Sequence, residues 1–259
     1  FRLVQLTPGV LNAPSANGQF GDVDYETAGV DSSRQTDAYS GQLAVDAVLD
    51  GGGQIVEPDG TNSINNSGTV IRRGSGTTTI NSLPFNNQAA GTVRIEEGTL
   101  DLPVGSLISG TWERPGGSLN LRNGTFTVPA EAVFVENTLS IAGNGTLNVT
   151  ASRTFGTLTV DGSTLGGAGN VTVTGSFNWN GGTLASGGKL VVAGTGIIAG
   201  TSTKGIDRVI EVSGSLTYNG SNLFFNLFGG VNGRIDVLTG GFLTFDGDGD
   251  VSHWNGGSN

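Results

Sequence analysis

Asp246-Gly247-Asp248-Gly249-Asp250 is the run best suited to chemistry, because acids at alternate positions with glycine between them can curl their carboxylates around Ca2+. A complete EF-hand-type loop closes with a bidentate Glu, and the matching position here is Gly257. An acidic turn between two strands is the plainer reading, with a Ca2+ site at Asp246, Asp248 and Asp250 as the sharper one. Three other carboxylate groupings are candidates for acid/base work: Glu96 with Glu97, Glu131 with Glu136, and Asp207-Arg208 with Glu211. Neighbours on a strand point to opposite faces, so Glu96 and Glu97 cannot serve one substrate. His253 is the single histidine and no cysteine is present, which rules out a multi-histidine metal centre and a Cys-His pair. Between Asn137 and Ile206 the titratable groups are Asp161, Arg153, Lys189 and Lys204 alone. A stretch so poor in reactive groups reads as scaffold, and no catalytic residue is assigned.

The scaffold announces itself as a repeated phrase: glycine, then Thr or Ser, then an apolar/polar alternation. It reads Gly145-Thr146-Leu147-Asn148-Val149, Gly156-Thr157-Leu158-Thr159-Val160, Gly169-Asn170-Val171-Thr172-Val173, Gly175-Ser176-Phe177-Asn178-Trp179, and recurs to Gly241-Phe242-Leu243-Thr244-Phe245. Each phrase predicts one short strand with its Leu, Val or Phe positions on one face. A β-sandwich and a β-solenoid both fit such strands. Persistence of one phrase over more than a hundred residues and the small aliphatics favour the solenoid. Asn120, Asn148, Asn170 and Asn178 are candidates for stacked amide ladders. Pro103 to Gly117, with Trp112 and Pro115, reads as a loop bulging from one coil. Leu223-Phe224-Phe225-Asn226-Leu227-Phe228 is either the broad end of the core or, exposed, an interface built on Phe224, Phe225 and Phe228.

Residues 1 to 60 lack the phrase and hold nine of the 22 acidic residues, against only Arg2 and Arg34. They read as an irregular acidic cap before a repeat region at 61 to 259. Gln42 to Leu49 within it is a short helix or a strand. Phe1-Arg2-Leu3-Val4-Gln5-Leu6 is a candidate strand, and Phe1, Leu3, Val4 and Leu6 would form a subunit interface if it paired with a neighbouring copy.

The net charge of −10 and the absence of any basic stripe argue against nucleic acid as a partner. No apolar run is long enough to span a bilayer as a helix. The 46 glycines show no Gly-X-Y period, which excludes collagen. A first residue of Phe1 and the lack of methionine are expected of a processed or excised chain, and the expectation is a secreted protein.

Residues 66 to 102 and 143 to 245 resemble the degenerate Gly-Thr-Leu-x-Val repeats of bacterial surface proteins, the autotransporter passengers and filamentous-haemagglutinin-like adhesins. That resemblance implies a parallel β-helix at the bacterial cell surface, acting in adhesion or as an extracellular scaffold. The expectation is therefore an all-β parallel β-helix, not an enzyme, that self-associates as a filament subunit or forms part of an adhesin. Its partners would be further copies, head to tail, or a host or cell-surface glycan. The alternative is a glycan-binding or glycan-cleaving β-helix.

Overall fold

The computed structural model describes residues 2–3, 41–43, 47–50, 52–56, 63–227 and 233–253, and every regular element among them is a β-strand. The chain divides into two compact units, one comprising Phe1–Gly124 with Glu131–Glu136 and the other Thr125–Ala130 with Asn137–Asn259. Each is a parallel β-solenoid, as the repeated phrase predicts.

In the first unit three strands make one coil, and equivalent strands stack into three sheets. Gly41–Leu43, Ile64–Asn66 and Phe85–Asn87 form one. Ala47–Asp50, Thr69–Arg73, Thr92–Ile95, Thr111–Glu113 and Val133–Phe134 form the second. Gly53–Val56, Thr77–Asn81, Thr99–Leu102 and Ser118–Arg122 form the third. All these pairings are parallel, with successive coils roughly twenty residues apart. Arg2–Leu3 differs: it pairs antiparallel with Leu49 and Asp50.

The second unit carries a seven-stranded sheet from Thr125–Val128 through Thr146–Val149, Ser163–Gly167, Gly182–Gly187, Lys204–Ile206 and Leu223–Phe225 to Val251–His253. Facing it are Thr138–Ala142, Arg153–Asp161 and Val171–Trp179. Later coils split this side into pairs: Leu190–Val192 with Thr195–Gly200, Val209–Val212 with Ser215–Gly220, and Arg234–Val237 with Phe242–Phe245. The phrases at Gly169 and Gly175 are thus one nine-residue strand rather than two. The register shift between Phe155 and Thr157 marks the bend that later coils turn into a break.

The alternation in the phrase is what fills each interior. Leu147, Leu165, Leu184, Ile206 and Leu223 come from successive coils and are at most 1 % exposed. Burying such a side chain contributes about 1.5–3 kcal/mol, so every coil adds to the core.

Within the segment 1 to 60 expected as a cap, Gly41–Leu43, Ala47–Asp50 and Gly53–Val56 pair in register with the next coil. Two expectations need correction. Trp112 lies in no bulging loop. It is fully buried in Thr111–Glu113, packs edge-on against Phe85 at 6.3 Å, and donates its indole N–H to the Ser109 carbonyl at 2.8 Å. The buried amide stack forms at Asn66 and Asn87, whose Nδ2 to Oδ1 contact is 2.7 Å. Asn120, Asn148 and Asn178 occupy half-buried positions on strands opposite Asp101, Gly166 and Thr159, and so build no ladder with one another. Asn170 instead accepts the Lys189 backbone N–H at 2.8 Å.

Coil stacking also dictates individual glycines. At Gly182 the backbone has φ +89° and a Cβ would run into the Ser163 carbonyl of the coil before, whereas Gly240, at φ +85°, faces open space. We expect Gly182→Ala to destabilise the protein by more than about 2 kcal/mol and Gly240→Ala by about 1 kcal/mol, the difference being steric clash rather than dihedral strain. Urea unfolding of the two variants measures it, and equal losses would refute the clash.

Candidate association edge

Inward-pointing polar side chains are occupied with the corners of the coils. At each corner the backbone leaves the sheet, and its carbonyls need donors that the neighbouring coil does not supply. Arg72, fully buried, donates to the carbonyls of Arg73, Gly74 and Gly76. Lys204, also buried, donates from Nζ to Gly200 O at 3.0 Å and Ser202 O at 2.8 Å. Arg208 Nε donates to Ala185 O at 2.7 Å, and Trp179 Nε1 to Gly181 O at 2.9 Å. Burial pushes Arg208 down to about 10 and lowers Lys204 below its ordinary 10.5. The sequence reading did not place these basic groups in the interior. Their signal is parity: Arg72 alternates with buried Val70, and Lys204 with buried Ile206.

The candidate carboxylates do not converge. Glu96 pairs with Arg94 at 3.0 Å, and Glu136 accepts the Arg114 backbone N–H at 2.6 Å. Glu97 and Glu131 are exposed. Asp207 is buried beside Arg208, while Glu211 meets Lys189 Nζ at 2.5 Å on the surface. Asp101 is 2 % exposed because its outward carboxylate is covered by Arg122 at 2.5 Å, Asn120 at 2.7 Å and Thr79 at 3.2 Å. That bond raises Arg122 above its ordinary value. The result is a ladder that ties three coils together.

Asp246, Asp248 and Asp250 follow the last strand of the Phe242–Phe245 side and are exposed. Among the described residues no group of three His, Asp or Glu side chains is arranged to hold a metal ion, so the three are not gathered into a ready site. Their backbone does structural work: Asp246 N–H donates to Tyr218 O and Asp250 O accepts from Leu223 N–H, both at 2.8 Å. Burial, and secondarily the charge of Asp250, raise the Tyr218 phenol. His253 lies 2.9 Å from Asn226 Nδ2.

Of the expected interface residues, Phe1, Val4, Leu6 and Phe228 lie outside the described residues. Leu3 pairs with Leu49 of its own chain. Phe224 and Phe225 are half-buried beside buried Leu223, on a strand flanked by Lys204–Ile206 and Val251–His253.

The apolar surface lies one coil further on. Arg234–Val237, Phe242–Phe245 and Val251–His253 each pair with a preceding strand, and among the described residues nothing pairs with their other edges. Register identifies the core positions: Val237 stands opposite Val212, Phe245 opposite Tyr218, and Val251 opposite Leu223. Val212, Tyr218 and Leu223 are at most 1 % exposed, whereas Val237, Phe245 and Val251 are 46 %, 59 % and 44 % exposed. Phe242, at 69 %, stands opposite the outward Ser215 and so is exposed on the other face of the strand. Val237, Phe245 and Val251 have core identity but, among the described residues, no coil covers them and no strand pairs with the outer edge on which they sit. Sequence reasoning missed them because their phrase is indistinguishable from the buried ones.

Two measurements follow. Tyr218→Ala should cost about 3–5 kcal/mol and Phe245→Ser less than about 1 kcal/mol, although the two positions are equivalent by register. Comparable losses in urea unfolding would mean that Phe245 is covered. For Lys204, folding penalises the charged amine, so the penalty is complete below the folded pKa and shrinks as pH rises towards 10.5. Lys204→Met should therefore compare best with the wild type at pH near 7 and lose that advantage near pH 10, and a pH-independent difference would refute the burial cost. Set against protein-family models, curated proteins and solved structures, the chain matches none.

Proposed function

We propose that this chain is an extracellular structural or adhesive protein, a stiff β-solenoid that self-associates as a filament subunit or forms part of a bacterial cell-surface adhesin. The observation that carries this reading is the exposure of Val237, Phe245 and Val251 at positions whose counterparts one coil earlier are at most 1 % exposed. A sheet edge with unpaired backbone and apolar side chains is a template for further strands. The rest of the described surface is consistent with a scaffold. Asp101, Glu113 and Glu211 are spent on cross-coil ion pairs, and the buried cations Arg72 and Lys204 on corner carbonyls. No helix of the described residues is long and apolar enough to cross a membrane. The natural partner of such an edge is another β-coil, and the reading makes the protein a non-enzyme.

Sedimentation velocity over a hundredfold range of protein concentration, with negative-stain microscopy of the heaviest fractions, tests this. Concentration-dependent association that Phe245→Asp weakens at least tenfold is expected. Repeating the run with EDTA reads whether Ca2+ at Asp246, Asp248 and Asp250 contributes. A wild-type protein that stays monomeric throughout overturns self-association and leaves glycan binding as the reading to pursue.

A further inference from the structure

Coil-to-coil pairing is parallel in each unit, so within a unit the chain runs in the same direction in every coil. The last coil of the second unit ends in three open strands. The first coil of the first unit also consists of three strands, Gly41–Leu43, Ala47–Asp50 and Gly53–Val56, each paired in parallel with the coil after it. A second copy presenting its last coil to this first coil would continue the same direction and place Phe245, Val237 and Val251 over another coil's interior. The contact between copies would then repeat the contact between coils, a heterologous head-to-tail interface.

One feature breaks this symmetry. Arg2–Leu3 already lies on the outer edge of Ala47–Asp50, and it runs antiparallel, with Arg2 opposite Asp50 and Leu3 opposite Leu49. An antiparallel strand occupies backbone groups that a parallel coil would use, and its alternating close and wide hydrogen-bonded pairs do not match a parallel ladder. It ends the stack where it sits. Leu49, opposite Leu3 in register, is only 5 % exposed, unlike the open core positions at the other edge.

We propose that Arg2–Leu3 is an intramolecular guard on the receiving edge of the first unit, and that the partner it excludes is the last coil of a second copy of this chain. This rests on the self-association reading and adds the identity of the receiving edge and the means by which it is kept closed. The two edges are not equivalent: among the described residues nothing pairs with the donor edge, whereas Arg2–Leu3 pairs with the receiving edge and must leave for a parallel coil to take its place. Association is then limited by guard displacement, and any process that removes or holds back the first residues promotes it.

The test compares three full-length variants with the wild type by sedimentation velocity and light scattering, with circular dichroism confirming the β fold. Residues 1 to 6 are deleted in one, Leu3→Pro removes a backbone donor from the guard in the second, and Phe245→Asp disables the donor edge in the third. Deletion and Leu3→Pro should each lower the concentration for half-association about tenfold, and Phe245→Asp should raise it. If deletion and Leu3→Pro change nothing while Phe245→Asp still weakens association, the guard is refuted and self-association stands. If deletion abolishes association, the segment is itself the strand exchanged between copies, and the guard is refuted. If no form associates, both readings fall.

Discussion

A parallel coil can satisfy its backbone only by lying against another coil. Each strand donates and accepts on both edges, so every interior coil needs a neighbour on either side, and the chain must turn several times per coil to deliver its strands in register. Much of the molecule answers this one demand. At the corners the ladder is interrupted, and donors reach in from the interior: the guanidinium groups of Arg72 and Arg208, the Lys204 amine, the Asn87 amide, and the indoles of Trp112 and Trp179. Burying a cation is costly, yet a carbonyl left without a donor costs about 1–3 kcal/mol as well, and one side chain with several N–H groups serves several carbonyls. Arg72 does this for the four consecutive carbonyls of Arg73, Gly74, Ser75 and Gly76.

The same demand accounts for the glycines that approach other coils and for the low charge. Where backbones of adjacent coils stack at a corner, as at Gly182 on Ser163, there is no room for a Cβ. Outward positions stack as well, so like charges would stand about 5 Å apart along a ladder and repel. The surface avoids this by placing Thr opposite Thr, as at Thr69 and Thr92 or Thr125 and Thr146, and by alternating signs, as at Arg94 and Glu113 or Lys189 and Glu211. Asp101 is the developed case: its register neighbours Thr79 and Asn120 both reach it, and Arg122 closes over it.

A stack that satisfies its interior coils leaves its terminal edges wanting, and the two described edges are handled differently. One carries an antiparallel strand; the other exposes aromatic and aliphatic side chains whose neighbours one coil back are buried. Edges of this kind are where solenoids accept caps or partners. Chemistry at the edge is therefore backbone pairing and apolar burial, which is why a search for convergent titratable groups leads to ion-pair ladders and corner caps instead.

The repeated glycine-Thr-apolar phrase determined by itself that the protein is all β, that the strands are short, and which side chains fill the interior, because alternation is a local property of an extended chain. Leu147, Leu158, Phe177 and Leu216 are buried as that alternation requires. Three matters were beyond it. Gly41–Leu43, Ala47–Asp50 and Gly53–Val56 are coil strands without the phrase, since register with the following coil, not local sequence, holds them in place. Trp112 is core although its surroundings read as loop, because the strand on which it lies is defined by pairing with Val93. Gly241-Phe242-Leu243-Thr244-Phe245 reads like every buried phrase, yet Phe245 is exposed where Tyr218 is not. Sequence fixes which face of a strand is apolar, but only the tertiary structure decides whether another coil lies against it, since burial depends on residues some twenty or more positions away.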